Sequence, residues 1–279
     1  MTIKEVDQLI EEGYSFKMVA QAYSEIANQK IKLLRVNLER NREFFQEISQ
    51  VFSLIRALAL KRNISISKPT QTLSIIITSN YRFYGDINSD LIDYYIEKTK
   101  ELKTDRIIIG KTAQAYFRKS KDFGSLQEVI LAKDQPNASE LTALVASLKN
   151  YNQVLIFFSK LRTLLIQDPT YTDIAKVAQI PASSKEEEKI KFIFEPELSK
   201  VLDFFDNQIL TLLLEETFLE SEVSRTASRF ISMDQAETEA NKFIKESQKI
   251  KAYLKRSLIN NQILENYAGS LSSRKGGMQ

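Results

Sequence analysis

Residues 198–230 read LSKVLDFFDNQILTLLLEETFLESEVSRTASRF, and the chain runs on to residue 268 without a proline or a glycine. Apolar residues recur at Leu198, Leu202, Phe205, Ile209, Leu212, Leu219, Val223, Ala227 and Phe230, then at Ala240, Phe243, Ile250, Leu254 and Leu258. The mean step is close to the coiled-coil period, which predicts one long helix over 196–270 with Pro196 in its first turn. The other end of the chain repeats the pattern. Residues 3–61 hold one glycine, Gly13, and no proline, with apolar residues spaced by threes and fours. At ~1.5 Å per residue such a helix would reach roughly 80 Å, too long to stand alone beside a small domain. Two such helices at opposite ends predict an antiparallel coiled coil, pairing roughly 3–58 with 205–268.

The middle, 70–195, has strand-length apolar runs at Leu73–Thr78, Asp105–Ile109 and Gln153–Phe158. Helical patterns over Ser89–Leu102, Lys111–Lys119 and Ala138–Leu148 alternate with them, which predicts a central Rossmann-like α/β domain. Leu161–Gln167 is read as an antiparallel neighbour of the third strand, and Ile174–Val177 and Lys191–Phe194 as short strands. The polar stretch 181–189 is read as an exposed mobile loop, and 271–279 as a flexible tail. The domains are thus 1–61, 70–195 and 196–270, followed by the tail.

Composition narrows the chemistry. The 279 residues include no cysteine and no histidine, which removes disulfides, thiolate catalysis, the commonest general base and the commonest metal ligand. Seven glycines and five prolines are few, in keeping with long helices. A net charge of +3 is small for a nucleic-acid binder. No secretory signal and no apolar run of membrane-spanning length is visible. A nucleotide site in the α/β domain needs a glycine-rich turn after the first strand. The segment there, Ser79-Asn-Tyr-Arg-Phe-Tyr-Gly85, has one glycine and bulky aromatics, so it is read as a structural turn. Glu186–Glu188, Glu215–Glu216 and the pair Asp203 and Asp206 read as solvated charge. Lys242, Lys245, Lys249, Lys251, Lys255 and Arg256 cluster on the last helix against one acid, Glu246, and suit an acidic protein partner better than nucleic acid.

These residues resemble the γ subunits of F-type ATP synthases over nearly the whole chain. Ile10, Val19, Ala22, Ile26, Ala27 and Lys30 fall on that family's first-helix pattern. Ser79-Asn-Tyr-Arg-Phe-Tyr-Gly-Asp-Ile-Asn88 resembles its Ser-Asp-Arg-Gly-Leu-Cys-Gly-Gly-Leu-Asn segment and keeps Ser79, Gly85 and Asn88. Ile108–Lys111 and Tyr116–Lys119 resemble its second strand and following helix. Phe194-Glu-Pro196 resembles the Tyr-Glu-Pro that opens its last helix. Ser228-Arg-Phe-Ile-Ser-Met-Asp-Gln-Ala236 resembles its Ala-Arg-Met-x-Ala-Met-x-x-Ala, and the same register places Ile259, Ile263, Glu265 and Gly269 on its terminal pattern. Departures are Arg82 and Asp86 for two glycines, Arg225 for an acidic residue, Lys255-Arg256 for an Arg-Gln pair, and Asn260 for a threonine.

The resemblance implies the central rotor shaft of an F-type ATP synthase, a non-catalytic subunit with no cofactor or metal of its own. Its partners would be the α and β subunits of the catalytic hexamer, the ε subunit and the membrane rotor ring, with no nucleic acid. It would sit as a peripheral protein on the cytoplasmic face of the cell membrane. Lys249, Lys251, Lys255, Arg256 and Asn260 would face the β subunit. Ser79, Gly85 and Asn88 would build the turn beside the coiled coil. Ile10, Val19, Ala22 and Ile26 on the first helix, and Met233, Ala236 and Ala240 on the last, would line the seam. The alternatives are a γ-like shaft of a specialised F-type ATPase not coupled to ion flow, and a coiled-coil scaffold protein unrelated to ATP synthesis.

Overall fold

A computed structural model describes residues 1–61, 71–119, 126–148, 150–178 and 197–275. The expected loop at 181–189 and strand at 191–194 lie outside them. The elements are α1 (Ile3–Lys61), β1 (Thr72–Ile77), α2 (Ile87–Thr99), β2 (Asp105–Ile109), α3 (Lys111–Phe117), β3 (Leu126–Val129), α4 (Ala138–Leu148), β4 (Gln153–Leu161), β5 (Gln167–Asp173), α5 (Ile174–Val177) and α6 (Leu198–Lys275). They form two compact units, Met1–Ile26 with Phe230–Gln279, and Ala27–Arg229.

Ala27–Arg229 is the α/β unit. Its sheet has the order β3-β2-β1-β4-β5, with only β5 antiparallel. β1 is apolar on both faces because both are covered, as a central parallel strand requires. Leu73, Ile75 and Ile77 face α4, α5 and the paired lengths of α1 and α6, where Phe52 and Phe205 stack. Ile76 faces Leu91, Ile92 and Tyr95 of α2 and Phe117 of α3. α1 and α6 run antiparallel here. Lys30 pairs with Glu222, and Arg42 with Glu216 and Glu220. Residues 217–227 of α6 are buried on every side, with Leu219 and Val223 packed against Leu34 of α1 and Leu161 of β4.

Three local expectations change. β4 extends to Leu161, so the return strand is Gln167–Asp173, closed by a turn in which the Arg162 and Thr163 N–H groups donate to the Ile166 carbonyl (both 3.1 Å). Pro169 is tolerated because β5 is an edge strand. Ile174–Val177 is a helical turn, not a strand, because the Asp173 side chain caps it by accepting from Lys176 N (3.2 Å). β3 escaped the sequence reading because an edge strand with two exposed polar residues, Gln127 and Glu128, has no apolar run.

Burial at the helix pairing also sets a pH response. Asn41 donates to Glu215 (3.3 Å), yet burial holds the Glu215 carboxyl above the ordinary carboxylate range, and that hydrogen bond only partly opposes it. A carboxyl raised on folding takes up a proton, so its penalty is absent below the unfolded pKa and grows as pH rises through the folded one. Glu215→Gln is therefore expected to stabilise the chain at pH 7–8 by less than about 1 kcal/mol. The gain should vanish below about pH 4, where both proteins are neutral at this position. Thermal melts across that range check it.

Candidate functional site

Met1–Ile26 and Phe230–Gln279 form a two-helix unit whose surface is the first candidate. Its pairing is antiparallel: Asp7 meets Lys251, Tyr14 meets Gln248 (3.4 Å), Gly13 lies against Ile244, and Gln21 donates to Glu237 (2.6 Å). Buried positions on α1 recur every seven residues, at Val6, Gly13 and Ala20, and the same step continues at Ala27, Leu34 and Asn41 in the α/β unit. On α6 the buried pair is Ile244 and Ser247. Between Val6 and Ile244 the seam carries the small residues Gly13, Ala20 and Ser247, so the backbones can approach closely there. A Cβ on Gly13 would stand 2.8 Å from Ile244 Cγ1.

Most of the large apolar residues point the other way. Phe16, Val19 and Ile26 are 71%, 54% and 58% exposed, and Tyr253 on α6 is 72% exposed. This corrects the expected seam. Val19, Ala22 and Ile26 lie on the outer face of α1, and Ala236 on that of α6, because the heptad passes through Gly13, Ala20 and Ala27 instead. Ile10, Met233 and Ala240 are half-buried. Lys249, Lys255, Arg256 and Asn260 are exposed, whereas the Lys251 ammonium is held by Asp7. Residues 258–268 are exposed throughout and carry Leu258, Ile259, Ile263, Leu264 and Tyr267.

The second candidate is the turn after β1. It stands where the strand order reverses between β1 and β4, the place where open α/β sheets bind ligands. Here the chain's own groups fill it. Ser79 N donates to Asn88 Oδ1 (3.3 Å), and Asn88 Nδ2 donates to Ser79 Oγ (2.9 Å). Asn80 N donates to Asp134 Oδ1 and the Tyr84 hydroxyl to Asp134 Oδ2, both at 2.7 Å. Gly85 takes φ 59°, and Phe83, exposed, is held at φ 66°. Ser228 of α6 donates to the Tyr84 carbonyl (2.6 Å), Arg229 Nη2 donates to the Arg82 carbonyl (3.1 Å), and the Arg229 guanidinium lies 3.9 Å from the centre of the Tyr84 ring. Burial pushes the Tyr84 phenol up and Asp134 adds to this, while Arg229 and Arg225 oppose it. A phosphate entering the turn would have to displace both carboxamide and carboxylate acceptors from the backbone N–H groups. Sequence reasoning found Ser79, Gly85 and Asn88 but missed Tyr84, Asp134 and Arg229 as one cluster.

Among the described residues, no group of His, Cys, Asp or Glu is placed to hold a metal ion. No described helix is long and apolar enough to cross a membrane.

A profile of the family described as ATP synthase matches residues 2–272. The ATP synthase gamma chain of Clostridium botulinum (strain 657 / Type Ba4) is 24% identical over 271 residues, spanning 93% of this chain and 94% of that one. That of Staphylococcus saprophyticus is 20% identical over 285 residues, spanning 97% and 99%. Among solved structures, a chain of the Tetrahymena thermophila mitochondrial ATP synthase central stalk and c-ring superposes with a TM-score of 0.58 at 18% identity, over 78% of this chain and 99% of that one. A chain of the Euglena gracilis mitochondrial ATP synthase does so with a TM-score of 0.56 at 16% identity, over 90% and 97%.

Proposed function

The chain belongs to the ATP synthase γ-chain family, and on that premise we propose that it is the central rotor shaft of such a complex and holds no catalytic site itself. The observation that carries this reading is the inverted coiled coil. A free-standing coiled coil buries its large apolar residues and exposes polar ones. This one buries Gly13, Ala20 and Ser247 alongside Val6 and Ile244, and exposes Phe16, Val19, Ile26 and Tyr253. A rod with a thin seam and an apolar exterior suits enclosure in a sleeve, which the hexamer of α and β subunits supplies. Contacts that are apolar and undirected do not lock a rotating rod in one register.

Torque must also pass along the chain. Within the α/β unit, α6 is gripped on all sides over 217–227, and the ion pairs of Lys30 and Arg42 tie α1 to it. The Ser228 and Arg229 contacts fix the same helix to the β1 turn. Twist applied to the sheet therefore has no soft joint before it reaches α6. The α/β unit faces the ε subunit and the membrane rotor ring, and the chain lies peripherally at the cytoplasmic face of the membrane as part of the complex. The β subunits, in this reading, carry the ATP chemistry.

The band Lys249, Lys255, Arg256 and Asn260 faces acidic β-subunit loops. Arg256 and Asn260 share one helix face, and Lys255 points about 100° away. The test is the triple variant Lys255→Ala, Arg256→Ala, Asn260→Ala, co-expressed with α and β subunits. The free variant should melt within about 0.5 kcal/mol of wild type, because all three side chains are exposed. ATP hydrolysis by the assembled complex should fall. Hydrolysis and rotation at wild-type levels would refute the assigned contact, and failure of the wild-type chain to co-purify with the hexamer would refute the shaft itself.

A further inference from the structure

Arg225 is 1% exposed, in the length of α6 that is buried on every side. Its Nη1 donates to Ser221 Oγ (3.1 Å), whereas its Nε and Nη2 meet no protein acceptor. These two nitrogens share one edge of the guanidinium, the fork that donates side-on to two oxygens of a carboxylate or phosphate. Arg229, one turn later on the same face, also has a buried Nε without an acceptor.

The Arg229 guanidinium lies 3.9 Å from the centre of the Tyr84 ring, and the Tyr84 hydroxyl donates to Asp134 Oδ2 (2.7 Å). Both Asp134 oxygens are already used, by Asn80 N and the Tyr84 hydroxyl. Glu222, three residues before Arg225 on the same side of α6, is paired through Oε1 with Lys30 of α1, and its Oε2 is buried without a partner.

We propose that Arg225 and Arg229 together bind a small oxyanion beside Tyr84, through the Nε–Nη2 edge of Arg225 and Nε of Arg229. The site is closed to side chains of another protein, because Arg225 is buried within its own fold. It takes an inorganic oxyanion of phosphate size, and the anion completes the attachment of the β1 turn to α6.

The probe is inorganic phosphate, added to the full chain in chloride buffer at constant ionic strength and followed by calorimetry and by thermal melting. A single saturable site per chain is expected, with the melting temperature rising with the logarithm of phosphate concentration, as linkage requires. A rise linear in concentration and equal in all variants is the general exclusion effect of such salts and overturns the proposal. Arg225→Met keeps the length and removes the fork, so phosphate should bind at least roughly tenfold more weakly. Arg225→Glu should lose the site too, since a carboxylate one turn before Arg229 replaces the anion. Should either variant not fold, Arg229→Lys, which keeps the charge but replaces the guanidinium and its Nε donor by an ammonium, is expected to weaken binding by about tenfold. Retention of wild-type affinity in the folded variants overturns the proposal. Glu222→Gln separates the remaining rival. Unchanged binding supports the oxyanion, while binding that appears only in Glu222→Gln shows that Glu222 turns to Arg225 in solution, and overturns it.

Discussion

Val19→Asp combined with Ile26→Asp should leave the free chain folded and abolish its recovery in an assembled hexamer. Both side chains are more than half exposed on the outer face of α1, one heptad apart. Replacing them costs the free chain only helix propensity, about 1 kcal/mol or less for the pair. In a sleeve the same positions are buried. Each loses roughly 1.5–3 kcal/mol of apolar burial. Each also places a carboxylate in a dry contact, which costs more again. The two together exceed about 5 kcal/mol, a loss of more than a thousandfold in association. Ala20→Asp is the matched control. Ala20 lies in the seam at 4% exposure, so aspartate there should lower the stability of the free chain by about 2 kcal/mol or more. Co-purification with α and β subunits and ATP hydrolysis are the readouts. A Val19→Asp, Ile26→Asp chain that assembles and supports wild-type hydrolysis removes the sleeve.

That experiment turns on a feature that apolarity alone hides. The existence and extent of α1 and α6 were legible because 3–61 and 197–268 lack proline and almost lack glycine. Their antiparallel pairing followed from their being too long to stand alone. The seam was not legible. A search for large apolar residues at steps of three and four selects Val19 and Ile26, which belong to a second stripe on the outside. The buried heptad runs through Val6, Gly13, Ala20 and Ala27. In a water-soluble rod the apolar stripe and the seam coincide, and in one built to be enclosed they separate. The sole glycine of α1 was the available signal, since Gly in mid-helix weakens it unless close backbone approach requires the small residue.

The sheet was read well where strands are central and buried on both faces, and poorly at its edges, where β3 and β5 carry polar residues and a proline. The cluster at the β1 turn divides in the same way. Ser79, Gly85 and Asn88 sit together in sequence and share a motif. Tyr84, Asp134 and Arg229 are separated by fifty and by ninety-five residues, so only folding brings the carboxylate and the guanidinium to the same phenol. Arg225 stood out only as a departure from an acidic position, and its burial without an acceptor for Nε and Nη2 is a property of the packed helix.

Gly110→Ala should be the most damaging single substitution in the α/β unit. Gly110 joins β2 to α3 at φ 101°, a region that L side chains rarely adopt. A Cβ there would lie 2.5 Å from the Thr78 carbonyl oxygen and 2.7 Å from Thr78 Oγ1. Thr78 has little room to yield. Its N–H and its hydroxyl both donate to the Ile109 carbonyl (2.9 and 2.8 Å), and its Oγ1 accepts from Ala113 N (3.1 Å). The Gly110 N–H is itself committed to the Val129 carbonyl (3.2 Å), so a shift of Gly110 also loosens β3. Backbone strain and the clash together should cost at least about 3 kcal/mol. The displaced strand end leads into Ser79 and so into the turn that Ser228 and Arg229 hold. Thermal melting gives the magnitude, and hydrogen exchange locates it, with protection expected to fall first in β1, β2 and α3. A Gly110→Ala chain as stable as wild type would mean that β1 and β2 part without cost at their carboxyl ends, which the bonds of Thr78 to Ile109 and Ala113 oppose.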